Sequence, residues 1–258
     1  MRKIVSVLIL SLVLFSCSKV KKGEFLISGT AKGIENGKSV VLQTQDDSGM
    51  MMMPVDTVKV KDGKFEFKGK IKEPKMYSIV FPELQNGFSL IVENDEVKVE
   101  VYKDSIQSSK ISGTYHNDEF YKFNLDMKKV GKSVEKKMQD FQTKNLAAYQ
   151  QATTAKDTAT MNKIMKEANK IQTAYTDSML SYAKDHPKSF ISLLIVENMF
   201  RMPNGDPKKI KEMYDALDGD LKELTSGKKI KDQLAAIEKA KKNPAPQPVP
   251  APAAAPAQ

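Results

Sequence analysis

Apolar residues alternate with polar ones between residues 25 and 114. Val, Ile, Phe or Tyr occupies every second position in the runs FLISGTA, SVVLQT, DTVKVKDGKFEFKGKI, KMYSIVF and FSLIVENDEVKVEV. This period of two is typical of half-buried strands, because successive side chains point to opposite faces of a sheet. The pattern predicts an antiparallel β domain over residues 25–114, folded as a small sandwich or barrel.

Asp62-Gly63 marks the clearest predicted hairpin, in the segment TVKVKDGKFEFKG. An Asp-Gly pair readily adopts the positive backbone angles of a tight turn. A second turn is predicted at residues 93–96, between SLIV and VKVEV. The apolar residues expected to share one face of the hairpin are Val58, Val60, Phe65 and Phe67.

The period of the pattern changes after Thr114. Asn117 is a predicted helix N-cap, and the acidic residues that follow it suit the positive end of a helix dipole. Two amphipathic helices are predicted from apolar residues at helical spacing. These residues are Phe120, Phe123 and Met127, and then Ile164, Ala168, Ile171, Tyr175 and Met179.

Further helix boundaries are predicted from capping residues. His186-Pro187 is expected to end one helix, Ser189 to cap the apolar run FISLLIVENMF, and Asp206-Pro207 to open another helix. Residues 115–242 are therefore predicted to be helical, which makes the fold class α+β with the strands first. Residues 243–258 are rich in Pro and Ala and are predicted to form a disordered tail of polyproline II character.

The chain begins MRKIVSVLILSLVLFSC. Two basic residues, an apolar run and a small residue before Cys17 form the layout of a secretory signal. The apolar run, residues 4–15, is shorter than the roughly 20 residues that a membrane-spanning helix needs. We predict a cleaved signal peptide at residues 1–16.

Leu14, Ser16 and Cys17 resemble the lipobox of bacterial lipoproteins. That resemblance implies a diacylglyceryl group on the thiol, cleavage before Cys17 and acylation of the new amino terminus by chains such as palmitate. Residues 17–24 then form a lipidated tether. The alternative is an ordinary signal peptide in which Cys17 is incidental. Cys17 is the only cysteine, so its lipidation leaves no thiol for a disulfide or for catalysis.

The charge of the chain is basic. Removal of Arg2 and Lys3 with the signal peptide lowers the formal net charge from +9 to +7. The export signal, together with lysines spread along the whole chain, argues against nucleic acid as a partner. Lys19, Lys21 and Lys22 follow the anchor, where a solvated tether is favoured over contact with anionic lipid head groups.

Several short motifs follow one another in an order typical of one family. They are Ser28-Gly29, Asp56-Thr57, the segment from Asp62 to Gly69, Glu93-Asn94, Ser112-Gly113-Thr114, and then Asn117, Glu119 and Phe120. Together they resemble the "domain of unknown function 4369" family of bacterial lipoproteins. The block at residues 186–190 and the apolar helix after it are similar to the middle of those proteins.

The resemblance to this family implies little about function. In many relatives this region precedes a thioredoxin-like domain with a Cys-x-x-Cys pair, which acts as a thiol:disulfide oxidoreductase. Here the Pro/Ala-rich segment stands where that domain would begin, so no residue of the redox site can be carried over. The resemblance implies an accessory module for which the family supplies no established activity.

The sequence offers few candidate metal ligands or catalytic residues. His116 and His186 are expected at helix boundaries, because a zinc site needs more ligands than these two residues supply. Met50 to Met53 offers thioethers to copper(I), but a sticky or partly buried loop between strands is the favoured interpretation. Motifs for nucleophilic catalysis, phosphate binding or metalloprotease chemistry are missing from the sequence. We therefore predict no catalytic residue, no metal and no cofactor.

A three-residue pattern, Asp-Ser/Thr followed by an apolar residue, occurs four times. It resembles the periplasmic O-glycosylation sequon of the bacteria in which the family is common. The predicted acceptors are Thr57, Ser105, Thr158 and Ser178.

These features favour a non-catalytic lipoprotein that binds another envelope protein or a ligand. The tether lacks the acidic cluster associated with surface export, so the periplasmic face of the Gram-negative outer membrane is the expected location. One alternative is an accessory subunit of a separately encoded thioredoxin-like oxidoreductase. Another is an enzyme that acts on cell-wall or glycan fragments.

Overall fold

A computed structural model describes residues 20–46, 51–202 and 205–242. The chain divides into two compact units, of which the first ends at Ser109 and the second begins at Lys110. Strands lie in two sheets towards the amino end and helices follow them, so the predicted α+β class is confirmed.

The first unit is a β-sandwich. One sheet places β4, β1 and β7 side by side, and the other has the order β3-β2-β5-β6. The sheets meet through aromatic rings: Phe65 and Phe81 have centroids 6.1 Å apart, and Phe25 and Tyr77 have centroids 6.4 Å apart. The strands are β1 Glu24–Thr30, β2 Ser39–Gln45, β3 Met52–Lys59, β4 Lys64–Lys70, β5 Lys75–Phe81, β6 Asn86–Val92 and β7 Glu96–Glu100.

Strand β7 corrects the prediction that the strands pair antiparallel. It lies parallel to β1, with Ile27 opposite Val97 and Gly29 opposite Val99. Parallel neighbours need a long connection, and here the connection includes the other four-stranded sheet. The alternating pattern fixes which side chains face the core, but it carries no information on the direction of the neighbouring strand.

The Asp62-Gly63 turn forms as predicted, with φ of 50° and 67°. The strands on its two sides do not make a paired hairpin, however. They join opposite sheets, and only an isolated bridge between Lys61 and Lys64 links them. Val60 is buried and Val58 is half-buried. The turn therefore connects the two sheets of the sandwich. Because β4 pairs with β1, both of its phenylalanines are buried in the core between the sheets.

The second unit is helical after a short strand, β8 (Lys110–Ser112). With 40 residues, α1 is about 60 Å long, and α2 returns beside it after a turn at Lys156, whose φ is 54°. The core centres on α3, which is mostly apolar and mostly buried. The helices are α1 Tyr115–Thr154, α2 Thr158–Asp185, α3 Phe190–Met199, α4 Pro207–Ala216, α5 Gly219–Glu223 and α6 Thr225–Lys242.

The cap of α1 differs from the prediction. Thr114 is the N-cap, and its hydroxyl accepts a hydrogen bond of 3.3 Å from the backbone N–H of Asn117. Asn117 itself is fully buried in the first turn, and its amide donates to the same hydroxyl at 2.9 Å. Both residue types suit an N-cap, so sequence alone did not separate them. Ser189 and Asp206 cap α3 and α4 as predicted.

Several predictions lie outside the described residues: the signal peptide at 1–16, Cys17 and the tail at 243–258. Among the residues that are described, no helix is both long enough and apolar enough to cross a membrane.

Candidate functional site

Four polar side chains from three helices meet in the second unit, and we call them the Glu119 cluster: Glu119, Tyr182, His186 and Ser189. The hydroxyl of Tyr182 donates to Glu119 Oε2 at 3.1 Å and lies 3.2 Å from Ser189 Oγ. His186 Nδ1 lies 3.0 Å from the same Glu119 oxygen. One carboxylate oxygen of Glu119 therefore contacts two side chains from the end of α2.

Stacked rings hold Tyr182 in place. Its ring lies 4.2 Å from that of His186 at an interplanar angle of 13°, and Phe123 contacts it at 4.7 Å. Burial raises the pKa of Tyr182 well above its ordinary value, and the negative charge of Glu119 raises it further, although the bond to Ser189 acts in the opposite direction. Tyr182 is thus a protonated donor at neutral pH.

The cluster is arranged to position helices. A serine nucleophile needs a base within hydrogen-bond reach, but the group 3.2 Å from Ser189 Oγ is the protonated hydroxyl of Tyr182. Ser189 is also fully buried, and it accepts from the backbone N–H of Ile191 as the cap of α3. The contacts join the first turns of α1, the end of α2 and the start of α3.

Both histidines lie at helix boundaries, as predicted. His186 is the C-cap of α2, and His116 is in the first turn of α1. His116 Nδ1 accepts from the backbone N–H of Phe190 at 3.4 Å. Sequence reasoning missed the contact between Glu119 and Tyr182, because these residues lie 63 positions apart and no motif links them.

The raised pKa of Tyr182 predicts a loss of stability in alkali. The folded state holds the phenolic proton at a pH where the unfolded chain has released it, so the free energy of unfolding falls as pH rises above about 10. Tyr182→Phe is expected to reduce that dependence, and denaturant unfolding across alkaline pH measures it. Tyr149→Phe, at an exposed tyrosine of α1, serves as the control and should keep the full dependence. An unchanged alkaline slope in Tyr182→Phe would contradict this assignment.

A second candidate surface is the edge strand β3. It lies at the end of its sheet, and among the described residues it pairs along its length with β2 alone. Seven of its eight residues are exposed, and Val58 is half-buried. The exposed fractions are 62% for Met51, 43% for Met52, 47% for Met53 and 50% for Val55. We call residues 51–59 the β3 edge.

The β3 edge also corrects an expectation about the methionines. Met52 and Met53 belong to the strand itself, and not to a loop between strands; Met50 lies outside the described residues. Within the described part of the chain, no group of three or more His, Cys, Asp or Glu side chains is placed to hold a metal ion.

The four predicted O-glycosylation acceptors lie in three different elements, with two acceptors in each unit. Thr57 is exposed on β3, and Ser105 is exposed in a 3-10 segment. Thr158 is the first residue of α2. The hydroxyl of Ser178 is half-buried and donates to the carbonyl of Ala174 at 2.8 Å. The modification of these residues stays a prediction.

Comparison with known proteins gives one match. Residues 25–120 match a family model described as "Domain of unknown function (DUF4369)". Neither the curated proteins nor the solved structures contain a significant match to the chain. The match covers the sandwich and the first residues of α1.

Proposed function

We propose that this protein, whose residues 25–120 belong to the DUF4369 family, is a lipid-anchored interaction module of the bacterial cell envelope without catalysis of its own. In this proposal Cys17 carries the lipid, the module faces the periplasm from the outer membrane, and the β3 edge binds a partner protein.

The β3 edge is the observation that supports a binding role. Exposed edge strands present backbone donors and acceptors to other chains, and natural proteins usually protect them with charge or cover. The β3 edge has some of this protection in Pro54, Asp56 and Lys59, but Met52, Met53 and Val55 are also exposed on it. Methionine adapts its shape to varied apolar partners, and a free edge allows a partner strand to extend the sheet.

Pro54 defines where such pairing is possible. It has no backbone N–H and lies beside the bulge at which the register between β2 and β3 shifts. Val55 is the residue skipped at that bulge, so residues 56–59 are the uninterrupted segment for a partner strand. Met51 to Met53 and Val55 supply apolar contact beside it. A glycan on Thr57 would occupy the same segment, so O-glycosylation there and strand pairing exclude each other.

A crosslinking experiment in intact cells tests the binding role. A photoreactive residue at Met53 should give a discrete adduct with one envelope protein, and Val55→Lys should reduce that adduct about tenfold, as loss of a central contact does. The same photoreactive residue at Leu84, an exposed apolar position of the sandwich, is the matched control.

The outcomes separate the alternatives. Equal adducts from Met53 and Leu84, or no effect of Val55→Lys, would contradict binding at the β3 edge. Identification of the partner as a thioredoxin-like protein would assign the module as an accessory subunit of an oxidoreductase. A cell-wall or transport protein would assign it to envelope assembly.

A further inference from the structure

A groove of about 480 Å³ opens at the amino-terminal end of the sandwich. Its apolar lining residues are Val20, Phe25 and Leu26, and three lysines also line it: Lys21, Lys68 and Lys70. All three lysines are exposed. Glu24 is the one acidic residue in its lining, so positive charge dominates at the opening.

The tether is fixed to the sandwich at this groove. The side-chain amide of Asn94 donates to the backbone carbonyls of Lys21 and Glu24, at 2.8 Å and 2.6 Å. Gly23 adopts φ of +80°, and its carbonyl accepts from the backbone N–H of Ile71 at 2.9 Å. The segment that was expected to be a solvated tether is therefore held against the sandwich from about residue 21 onwards.

We propose that this lysine-lined groove docks on the membrane surface and takes the phosphate groups of anionic phospholipid head groups. The inference rests on the lipid anchor at Cys17 that the proposed function assigns. Val20 follows Cys17 by three residues, and three extended residues span at most about 11 Å. An anchored Cys17 therefore holds the groove within reach of the head groups.

Charge complementarity selects the occupant. A lysine near an anionic bilayer surface is attracted to it, and the attraction is additive over neighbouring lysines. Lys68 and Lys70 are two residues apart on β4, so both side chains point to the same side of the sheet. Lys68 also forms an ion pair of 2.7 Å with Glu66, but the pair is exposed, and such pairs are weak competitors.

Hydrogen exchange on the processed lipoprotein tests the proposal. The detergent-extracted protein is reconstituted into vesicles of phosphatidylcholine alone, or of equal parts phosphatidylcholine and phosphatidylglycerol. Backbone amides of residues 20–26 and 66–71 are expected to exchange more slowly in the mixed vesicles, by about fivefold for each lysine engaged. The double variant Lys68→Glu/Lys70→Glu should lose this difference. Lys61→Glu/Lys64→Glu has the same charge change at the opposite end of β4 and should retain it.

The same experiment distinguishes docking through the groove from lipid anchoring at Cys17. If the protein floats with neutral vesicles but its exchange is the same in both lipid mixtures, or if both double variants behave alike, docking through the groove is wrong while the anchor stands. If the extracted protein carries no lipid and does not float with neutral vesicles, the anchor itself is wrong.

Discussion

Cys17→Ala is expected to release the protein from the membrane fraction. Several acyl chains on one residue give stable anchoring, because each buried methylene group contributes about 0.8 kcal/mol. The wild type should incorporate labelled palmitate and enter the detergent phase in a phase-separation assay. The variant should incorporate none and should be more than tenfold depleted from that phase.

Ser18→Ala is the matched control for this experiment. It changes a neighbouring small residue but leaves the thiol and the residues before it intact, so lipidation and partitioning should equal those of the wild type. Palmitate incorporation by Cys17→Ala would show that the lipid is attached elsewhere. Wild-type protein without palmitate would favour the alternative of an ordinary signal peptide.

Phe67→Ala is expected to lower the free energy of unfolding of the sandwich by about 3–5 kcal/mol. The ring is only 1% exposed, and its centroid lies 5.9 Å from that of Phe65 in an edge-to-face contact. Alanine would leave a cavity between two sheets that Phe65 alone cannot fill, because that ring is already in contact with Phe81. Denaturant unfolding monitored through the β-sheet signal measures the loss.

Leu84→Ala is the control for the core substitution. Leu84 belongs to the same sandwich but is 37% exposed in a short 3-10 turn, and surface substitutions of this kind usually change stability by about 0.5 kcal/mol or less. A loss at Phe67 no larger than that at Leu84 would mean that the aromatic contacts between the sheets do not stabilise the fold.

The fold could be predicted from the sequence wherever local chemistry decides it. The alternation in KFEFKGK placed Phe65 and Phe67 inside, the Asp62-Gly63 pair formed its turn, and Ser189 capped α3. The arrangement of the strands could not be predicted in the same way. A turn of the right type joins two strands equally well within one sheet or between two, and only packing of the complete core selects the second.

The candidate sites depend on tertiary contacts, so they were harder to predict from the sequence. Glu119 and Tyr182 are brought together by the return of α2 along α1, which no spacing rule encodes. The exposure of Met52 and Met53 follows from the edge position of β3, whereas their apolar character alone suggested a partly buried loop. The groove at Lys68 and Lys70 likewise appears only when β1 and β4 lie side by side.

The intact mass of the native protein, extracted with detergent from its own membranes, is the most direct test of lipid anchoring at Cys17. We predict that the native chain begins at Cys17 and carries a diacylglyceryl group and a further acyl chain on that residue. Additional hexose-containing mass would identify O-glycosylation at Thr57, Ser105, Thr158 or Ser178. A chain that retains residues 1–16, or one that is processed but carries no lipid, would show that the protein is not anchored by lipid on Cys17.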